Sequence, residues 1–152
     1  MNHVVFVCTG NTFRSMTAEW VFRSTPGHQL VASSAGTIAR LQVIYPQPIE
    51  MLAKRGVDCR RHVQTKLDAH VVVACQLLVA MGLDHQAYIW RQFGVHAPLF
   101  NELAYNLHEP VLDLHEALPQ WQREPQAARD YVRGVIAHMV RMASRCLRRT
   151  QP

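Results

Sequence analysis

The sequence predicts an α/β protein in which helices cover both faces of a parallel sheet. The first observation is the apolar run VVFV at residues 4–7, which is typical of a strand buried on both faces. The second is the alternation of strand-like and helix-like segments, which favours parallel pairing. The third is a long amphipathic segment at residues 120–149, which predicts a closing helix. The length of 152 residues fits one domain, residues 1–152.

The first half of the chain contains two predicted strands and two predicted helices. After the strand at residues 4–7, a helical pattern starts at Ser15 and ends in the STPG turn at residues 24–27. Residues 29–36 form the second predicted strand. A helix follows over residues 49–56, where the final glycine is the expected C-cap because glycine readily adopts the left-handed conformation.

The second half completes a predicted four-stranded parallel sheet. Asp68 is the expected N-cap of a short helix, and residues 75–81 form the third strand. A helix over residues 83–93 leads to a short fourth strand at residues 96–100, and residues 101–119 are expected to be a long loop. Binding sites in such sheets lie at the carboxyl ends of the strands. The expected inner face of the closing helix consists of Tyr131, Val135, Met139 and Met142.

Composition and charge exclude several classes of function. The net charge is +5, but much of the excess lies in the last helix and no nucleic-acid-binding module is present, so we expect no nucleic-acid partner. The longest apolar stretch, residues 71–83, is too short to span a bilayer and contains Gln76. The N-terminus lacks the basic region of a signal peptide. We therefore expect a cytoplasmic protein with no membrane partner.

The cysteines and histidines form no metal-binding pattern. Cys8, Cys59, Cys75 and Cys146 contain no CxxC pair, and the nine histidines form no HxH or HExxH motif. We expect reduced thiols, no metal and no other cofactor.

The most informative stretch is VCTGNTFRS, residues 7–15, which carries a strand into a helix. Such a loop directs backbone N–H groups and a helix N-terminus toward one point, where phosphate-like anions bind. Gly10 and Asn11 suit the backbone angles of this cradle, and Arg14 supplies a bidentate fork for two oxygens. The same positive field favours a thiolate at Cys8, to which the Ser15 hydroxyl can donate. A bound phosphoryl group would lie above a nucleophile placed for in-line attack.

This loop resembles the VCxGNxCRS loop that opens the low-molecular-weight protein tyrosine phosphatases. The resemblance implies a flavodoxin-like three-layer α/β/α sandwich around a four-stranded parallel sheet. It also implies that Cys8 accepts the phosphoryl group and that water then hydrolyses the cysteinyl phosphate, with no cofactor. The similar segments span nearly the whole chain and also include TAE at 17–19, SAGT at 34–37, LAKRGVDCRRH at 52–62, LFNEL at 99–103 and PVLD at 110–113.

The resemblance also assigns roles around the loop. Arg14 and the loop backbone are implied to hold the phosphoryl oxygens. Support for the loop is expected from Asn11, Ser15 and His62. The implied phosphate-binding residues are Thr9, Gly10, Asn11, Thr12, Phe13, Arg14 and Ser15.

Asp113 is the implied general acid. A tyrosine leaving group departs as a phenolate whose conjugate acid has a pKa of about 10, so a proton donor matters. Asp113 lies at the right place ahead of the last helix, whereas Asp130 lies inside the helical pattern. The family's Asp-Pro-aromatic motif continues here with Leu114 and His115, so the rigid turn and the aromatic ring are missing. Tyr45 and His115 are the candidates for the wall beside the substrate.

These features predict hydrolysis of phosphotyrosine esters. The expected partner is a phosphotyrosine-containing protein, and analogy with bacterial relatives suggests a tyrosine kinase. One alternative is a binding module for phosphotyrosine or another anion, which would explain the altered motif at Asp113. The other is a thioredoxin-coupled arsenate reductase, which needs further cysteines, yet Met81 ends the third strand and no cysteine follows before Cys146. The oligomeric state is left open.

Overall fold

The computed structural model describes residues 2–39 and 46–150. Its sheet has three strands in the order β2-β1-β3, and both strand pairs are parallel. The central strand β1 covers His3–Cys8, and its neighbours are β2 (Val31–Gly36) and β3 (Leu77–Ala80). Cys8 is opposite Gly36 in this register, and the residue before Cys8 is opposite the last residue of β3. The carboxyl ends of all three strands therefore meet at one edge.

Helices cover both faces of this sheet, so the predicted three layers are confirmed. Alternate residues of β1 enter two separate cores, with Phe6 and Cys8 in one and Val5 and Val7 in the other. Helix α7 packs against α1, α2 and α5 at the first core, while α4 contributes Ile89 to the second. The helices are α1 (Arg14–Ser24), α2 (Pro46–Lys54), α3 (Ala69–Ala74), α4 (Leu83–Phe93), α5 (Phe100–Tyr105), α6 (Leu114–Ala117) and α7 (Pro125–Thr150). No helix in the described ranges has the length and apolar character needed to cross a membrane.

The predicted fourth strand at residues 96–100 is wrong as a strand. Within the described residues it is reduced to one parallel bridge between Ala80 and Leu99, supported by a hydrogen bond from the Ala80 N–H to the Pro98 carbonyl at 2.8 Å. Pro98 has no N–H to offer a ladder. The chain then turns immediately into α5, because the Leu99 N–H donates to Glu102 Oε2 at 2.7 Å and caps that helix.

The predicted long loop at residues 101–119 is also wrong, because it contains most of α5 and all of α6. Asn106 ends α5 in the left-handed conformation, with φ of 61°. The closing helix begins at Pro125 rather than at residue 120, since proline fits the first helical position and a 3₁₀ turn (Trp121–Arg123) precedes it.

Candidate active site

The loop between β1 and α1 borders a cavity of about 380 Å³ at the carboxyl edge of the sheet. Cys8 ends β1, and α1 begins at Arg14. The opposite wall is formed by residues 113–115 together with Ile38 and Trp121. The predicted nucleophile, cation and acid therefore share one cavity, although the cation and the acid lie 99 positions apart in the chain.

The Cys8 thiol receives two hydrogen bonds. The Asn11 N–H donates to Sγ at 3.3 Å, and Ser15 Oγ lies 2.8 Å from Sγ. The Asn11 side-chain amide donates to Ser15 Oγ at 2.9 Å, which leaves the Ser15 hydroxyl proton to point at sulfur. Two donors aimed at one sulfur stabilise a thiolate.

Asn11 connects this thiol to the protein interior. Its φ of 57° lies in the left-handed region, which asparagine tolerates. The same amide nitrogen donates to Ser34 Oγ at 2.8 Å, and Ser34 donates in turn to Glu19 Oε2 at 2.5 Å. The buried Glu19 carboxylate also pairs with Arg23 at 2.9 Å. The Thr65 N–H donates to Asn11 Oδ1 at 2.8 Å, so every polar atom of the Asn11 side chain is used.

His62 contacts the loop from the other side. Its Nδ1 accepts from Trp20 Nε1 at 3.2 Å, so Nε2 carries the proton and donates to the Asn11 carbonyl at 2.8 Å. Gln64 Nε2 donates to the Gly10 carbonyl at 2.7 Å. Both contacts hold the loop carbonyls away from the cavity.

The carbonyls of residues 8–11 all accept hydrogen bonds from groups outside the loop. The Cys8 and Thr9 carbonyls accept from the N–H groups of Thr37 and Ile38, each at 3.0 Å, and the next two are held by Gln64 and His62. In a trans peptide the N–H points opposite to the carbonyl. The N–H groups of residues 9–12 therefore point away from these partners, and the Asn11 N–H among them is directed at Cys8 Sγ in the cavity, which is the arrangement of an anion cradle.

Gly36 allows β2 to approach this loop. A Cβ at position 36 would lie 2.5 Å from the Thr9 carbonyl oxygen and 3.1 Å from the Asn11 nitrogen, both of which are backbone atoms. Only glycine fits such a contact without moving the loop. The SAGT segment thus has a direct role in the shape of the cradle.

Arg14 is buried and directed at the loop that carries Asp113. Its Nη1 donates to the Val111 carbonyl at 2.9 Å and lies 3.6 Å from Glu116 Oε1. Its Nη2 lies 3.3 Å from Asp113 Oδ2. The guanidinium therefore sits between the phosphate cradle and two carboxylates.

The missing proline after Asp113 is replaced by a capping box. Asp113 Oδ1 accepts from the Leu114 N–H at 2.8 Å, and Glu116 Oε1 accepts from the Asp113 N–H at 2.9 Å. From α7, the Tyr131 hydroxyl donates to the Leu112 carbonyl at 2.5 Å. Burial raises the pKa of Tyr131 to about 12, so this group stays a donor. Residues 111–114, which carry the predicted general acid, are called the acid loop below. This loop is fixed by hydrogen bonds instead of by a proline ring.

His85 is a site residue that the sequence did not reveal. Its side chain is 1% exposed, and Nδ1 accepts from the Gly82 N–H at 2.9 Å, so Nε2 donates to Thr9 Oγ1 at 2.9 Å. Burial first, and the Arg14 guanidinium second, lower the pKa of His85 to about 4. A neutral imidazole thus connects the end of β3 to the residue that follows Cys8. A histidine three positions after the glycine that precedes α4 is the only local signal for it.

Of the two residues predicted for the substrate wall, one can be placed. His115 lines the cavity, with Nδ1 3.5 Å from Asp113 Oδ2. Tyr45 lies outside the described residues. Trp121 is half-buried and also lines the cavity.

The thiols of Cys59 and Cys75 lie outside this cavity. Burial raises the pKa of both thiols, which disfavours the nucleophilic thiolate. Across the described ranges, no group of three or more His, Cys, Asp or Glu residues is placed to hold a metal ion.

Similar proteins are known over most of the chain. The sequence profile described as "Low molecular weight phosphotyrosine protein phosphatase" matches residues 3–118. A protein of Bacillus subtilis (strain 168) named protein-arginine-phosphatase is 31% identical over 116 residues, covering 74% of this chain and 74% of that protein. An arsenate reductase of Staphylococcus xylosus is 30% identical over 81 residues, but this covers only 53% of the chain and 60% of the reductase.

Solved structures superimpose on this chain over almost its full length. A mutant of YwlE from Bacillus subtilis superimposes with a TM-score of 0.83 and 25% identity, covering 97% of each chain. A YwlE arginine phosphatase mutant with a phosphorylated active site serine gives 0.81 and 25%, over 96% of this chain and 93% of that one. A low molecular weight protein tyrosine phosphatase from Bacillus subtilis gives 0.79 over 97% and 95%, and its 24% identity supports the fold alone.

Proposed function

Because the chain belongs to the low molecular weight phosphotyrosine protein phosphatase family, we propose that it hydrolyses phosphorylated protein side chains through a cysteinyl phosphate, with phosphoarginine as its preferred substrate. The observation that carries the reaction is the cavity shared by Cys8, Arg14 and Asp113, with sulfur held by two donors. The N–H groups of residues 9–12 and Arg14 supply positive charge for the phosphoryl oxygens.

In the first step, a lone pair of Cys8 Sγ forms the S–P bond while the bond from phosphorus to the leaving atom breaks. The electron pair of the broken bond goes to the leaving nitrogen or oxygen. Asp113, protonated at this stage, donates its proton to that atom. Arginine therefore leaves as a guanidinium, and tyrosine would leave as a phenol.

In the second step, water attacks phosphorus and the S–P bond breaks. The Asp113 carboxylate accepts the proton of the attacking water, which restores the acid for the next cycle. The electron pair returns to Sγ, where the Ser15 hydroxyl and the Asn11 N–H stabilise the thiolate. Inorganic phosphate leaves from the cradle.

Phosphoarginine is favoured as the substrate by two observations. The relative that is 31% identical carries the name protein-arginine-phosphatase, and a YwlE arginine phosphatase is among the structures with a TM-score above 0.8. Within the site, the Asp113 and Glu116 carboxylates already surround one guanidinium, that of Arg14. A wall whose carboxyl groups accept from one guanidinium suits an arginine side chain better than a phenol ring.

Phosphotyrosine remains the second candidate. The indole of Trp121 and the ring of His115 line the cavity and offer faces on which an aryl phosphate can stack. A phosphotyrosine-containing protein, such as a bacterial tyrosine kinase, would then be the partner.

The reductase and binding-module alternatives have less support. Arsenate reduction needs a resolving thiol, and β3 is followed by Met81-Gly82 with Cys59 and Cys75 buried or half-buried elsewhere. A module that only binds has no use for the Asp113 carboxyl held 3.3 Å from Arg14.

Steady-state kinetics test the proposed reaction. Wild type, Cys8→Ser and Asp113→Asn are compared on p-nitrophenyl phosphate and phenyl phosphate. We expect no turnover in Cys8→Ser, and a loss of roughly 10²–10⁴-fold in Asp113→Asn that is larger for phenyl phosphate, whose leaving group needs the proton more. Full activity of Cys8→Ser would refute the mechanism, and binding of vanadate without turnover in wild type would favour the binding module.

The substrate is tested with two peptides of the same sequence. One carries phosphoarginine and the other phosphotyrosine at the same position, and kcat/KM is measured for each with wild type at neutral pH. We expect the phosphoarginine peptide to be hydrolysed with the higher kcat/KM. The reverse order would assign the enzyme to phosphotyrosine.

A further inference from the structure

We propose that the groove between α2 and α7 is a docking surface for an acidic segment of the phosphorylated protein substrate. The inference rests on the proposed function and adds a second contact between enzyme and substrate, outside the active-site cavity. We call this surface the basic groove; it is bordered by Glu50, Lys54 and Arg55 on the side of α2 and by Gln126, Arg129 and Arg133 on the side of α7. Its shape, its charge and its distance from the active-site cavity carry the inference.

The basic groove is a cleft and not a flat charged patch. Helix α2 packs against α7, and the buried Ile136 and half-buried Met51 supply apolar surface to its lining. Its volume of about 590 Å³ exceeds that of the active-site cavity, about 380 Å³. A concave surface of this size accommodates several side chains of a bound segment.

The charge of the basic groove is positive and largely unpaired. Four of its side chains are cationic, and one, that of Glu50, is a carboxylate. Arg133 is already paired within α7, at 3.0 Å. Lys54, Arg55 and Arg129 are exposed, and none of them forms an ion pair with another residue in the described ranges. Carboxylates of a bound segment are the groups that complement such cations.

The basic groove lies close to the active-site cavity. Trp121 lines the cavity and Gln126 lines the groove. These residues are five positions apart, and five residues of chain span at most about 18 Å. The 3₁₀ turn over Trp121–Arg123 shortens that span, because its rise per residue is smaller. An extended peptide with its phosphorylated side chain in the cavity therefore reaches the groove with residues about five positions away.

An acidic peptide fits the basic groove better than a nucleic acid does. Surfaces that bind single-stranded nucleic acid combine cations with aromatic side chains on which the bases stack. None of the described residues that line the groove is aromatic. A phosphorylated protein also has one group held in the cavity already, so a weak second contact adds binding without requiring a tight site of its own.

The test compares two peptides that carry the same phosphorylated residue, namely the one that wild type hydrolyses with the higher kcat/KM. One peptide has glutamates roughly four to seven positions away on both sides, and the other has glutamines at the same places. Wild type, Arg129→Gln and the double variant Lys54→Gln/Arg129→Gln are measured on both peptides at low salt. Arg91→Gln is the matched control, since it removes one charge from an exposed position on α4, which packs on the second core.

We expect wild type to hydrolyse the acidic peptide with about tenfold higher kcat/KM, chiefly through a lower KM, because several exposed ion pairs form together. Arg129→Gln lowers this preference about threefold, and the double variant reduces it to about twofold or less. All variants keep the wild-type kcat/KM on p-nitrophenyl phosphate, which is too small to reach the groove, and this shows that they are folded. The preference of wild type also falls at high salt, which screens exposed charges.

The ratio of kcat/KM for the acidic and the neutral peptide decides the inference. Equal values in wild type, or a ratio that falls as much in Arg91→Gln as in Arg129→Gln, would overturn the docking surface and leave the proposed reaction intact. Hydrolysis of p-nitrophenyl phosphate without hydrolysis of phosphoarginine or phosphotyrosine peptides would overturn the proposed function and this role of the groove with it. Stronger inhibition by a single-stranded oligonucleotide than by the acidic peptide without its phosphoryl group, lost in the double variant, would assign the groove to nucleic acid instead.

Discussion

At the scale of single residues, Asn11 directs hydrogen-bond donors at the nucleophilic sulfur of Cys8. Its backbone N–H reaches Cys8 Sγ, and its side chain orients the Ser15 hydroxyl toward the same sulfur. Both effects need the left-handed backbone at φ of 57°, which costs less in asparagine than in most residues. The tetrad of Cys8, Asn11, Ser15 and Ser34 thus behaves as one unit in which each hydrogen has a fixed direction.

His85 provides a test of how the loop is positioned. Asparagine can reproduce only the Nδ1 contact to Gly82, whereas glutamine reaches to the place of Nε2 and can donate to Thr9. We expect His85→Asn to lower kcat up to roughly tenfold, the value of one lost hydrogen bond, while His85→Gln stays within about twofold of wild type. KM and kcat are measured separately. Equal losses in the two variants would show that the contact to Thr9 has no effect.

The lowered pKa of His85 predicts that the free energy of unfolding depends on pH. In the native state the His85 imidazole becomes protonated only below a pH of about 4, whereas in the unfolded chain it becomes protonated below about 6.5. Because the unfolded state holds more protons in that window, the free energy of unfolding falls as pH drops through it. We expect wild type to lose roughly 2 kcal/mol more than His85→Gln between pH 7 and about 4.5. Urea denaturation at both pH values measures the difference, and parallel losses would contradict it.

At the scale of elements, the contact between β2 and the phosphate loop depends on Gly36. A methyl group there would meet backbone atoms of Thr9 and Asn11, so the loop itself must move. We expect Gly36→Ala to lower stability by roughly 1–3 kcal/mol and kcat/KM by at least about tenfold. Gly134→Ala in α7 is the control, because its Cβ would meet no atom within 4 Å and alanine favours the helix. Thermal melts measure the change in stability, and kinetics on p-nitrophenyl phosphate measure the change in kcat/KM. A Gly36→Ala variant as active as wild type would argue against the close contact.

Elements that could be predicted are those with local signals. The apolar run before Cys8 and the helical pattern after Ser15 placed β1 and α1 within about one residue. The fourth strand could not be predicted correctly, because Pro98 and the cap from Glu102 decide its length and neither interrupts the apolar pattern. Helix α6 was missed because only a capping box of Asp113 and Glu116 supports its four residues.

The residues of the candidate site also divide into those with a local sequence signal and those without one. Cys8, Arg14 and Ser15 are close in sequence, so a loop motif identifies them together. Asp113 came from a resemblance spread along the chain. By contrast, His85 contacts Thr9 from 76 positions away, and a pattern of neighbouring residues carries no record of such a contact. Trp121 could not be found from the sequence because its neighbours carry no sign of a site; the structure places it in the 3₁₀ turn that borders the cavity.

At the scale of the whole molecule, parallel pairing brings distant segments to one edge. The central strand ends at Cys8, and β2 ends at Gly36, which lies against the phosphate loop. Strand β3 leads to Gly82, whose N–H donates to His85. The acid loop is attached to the same edge by the Val111 N–H, which donates to the Met81 carbonyl at 2.7 Å, and by α7 through Tyr131. The sheet therefore fixes the nucleophile, and the same sheet edge together with α7 fixes the loop that carries the acid.

The most direct test of this account is the covalent intermediate. Wild type is mixed with p-nitrophenyl phosphate, quenched in acid during turnover, digested and analysed by mass spectrometry, with Cys8→Ser treated in parallel. We predict one phosphoryl adduct on the peptide that contains Cys8 in wild type, and no steady-state turnover in the serine variant. Turnover without any adduct on that peptide, and with activity retained in Cys8→Ser, would contradict the account.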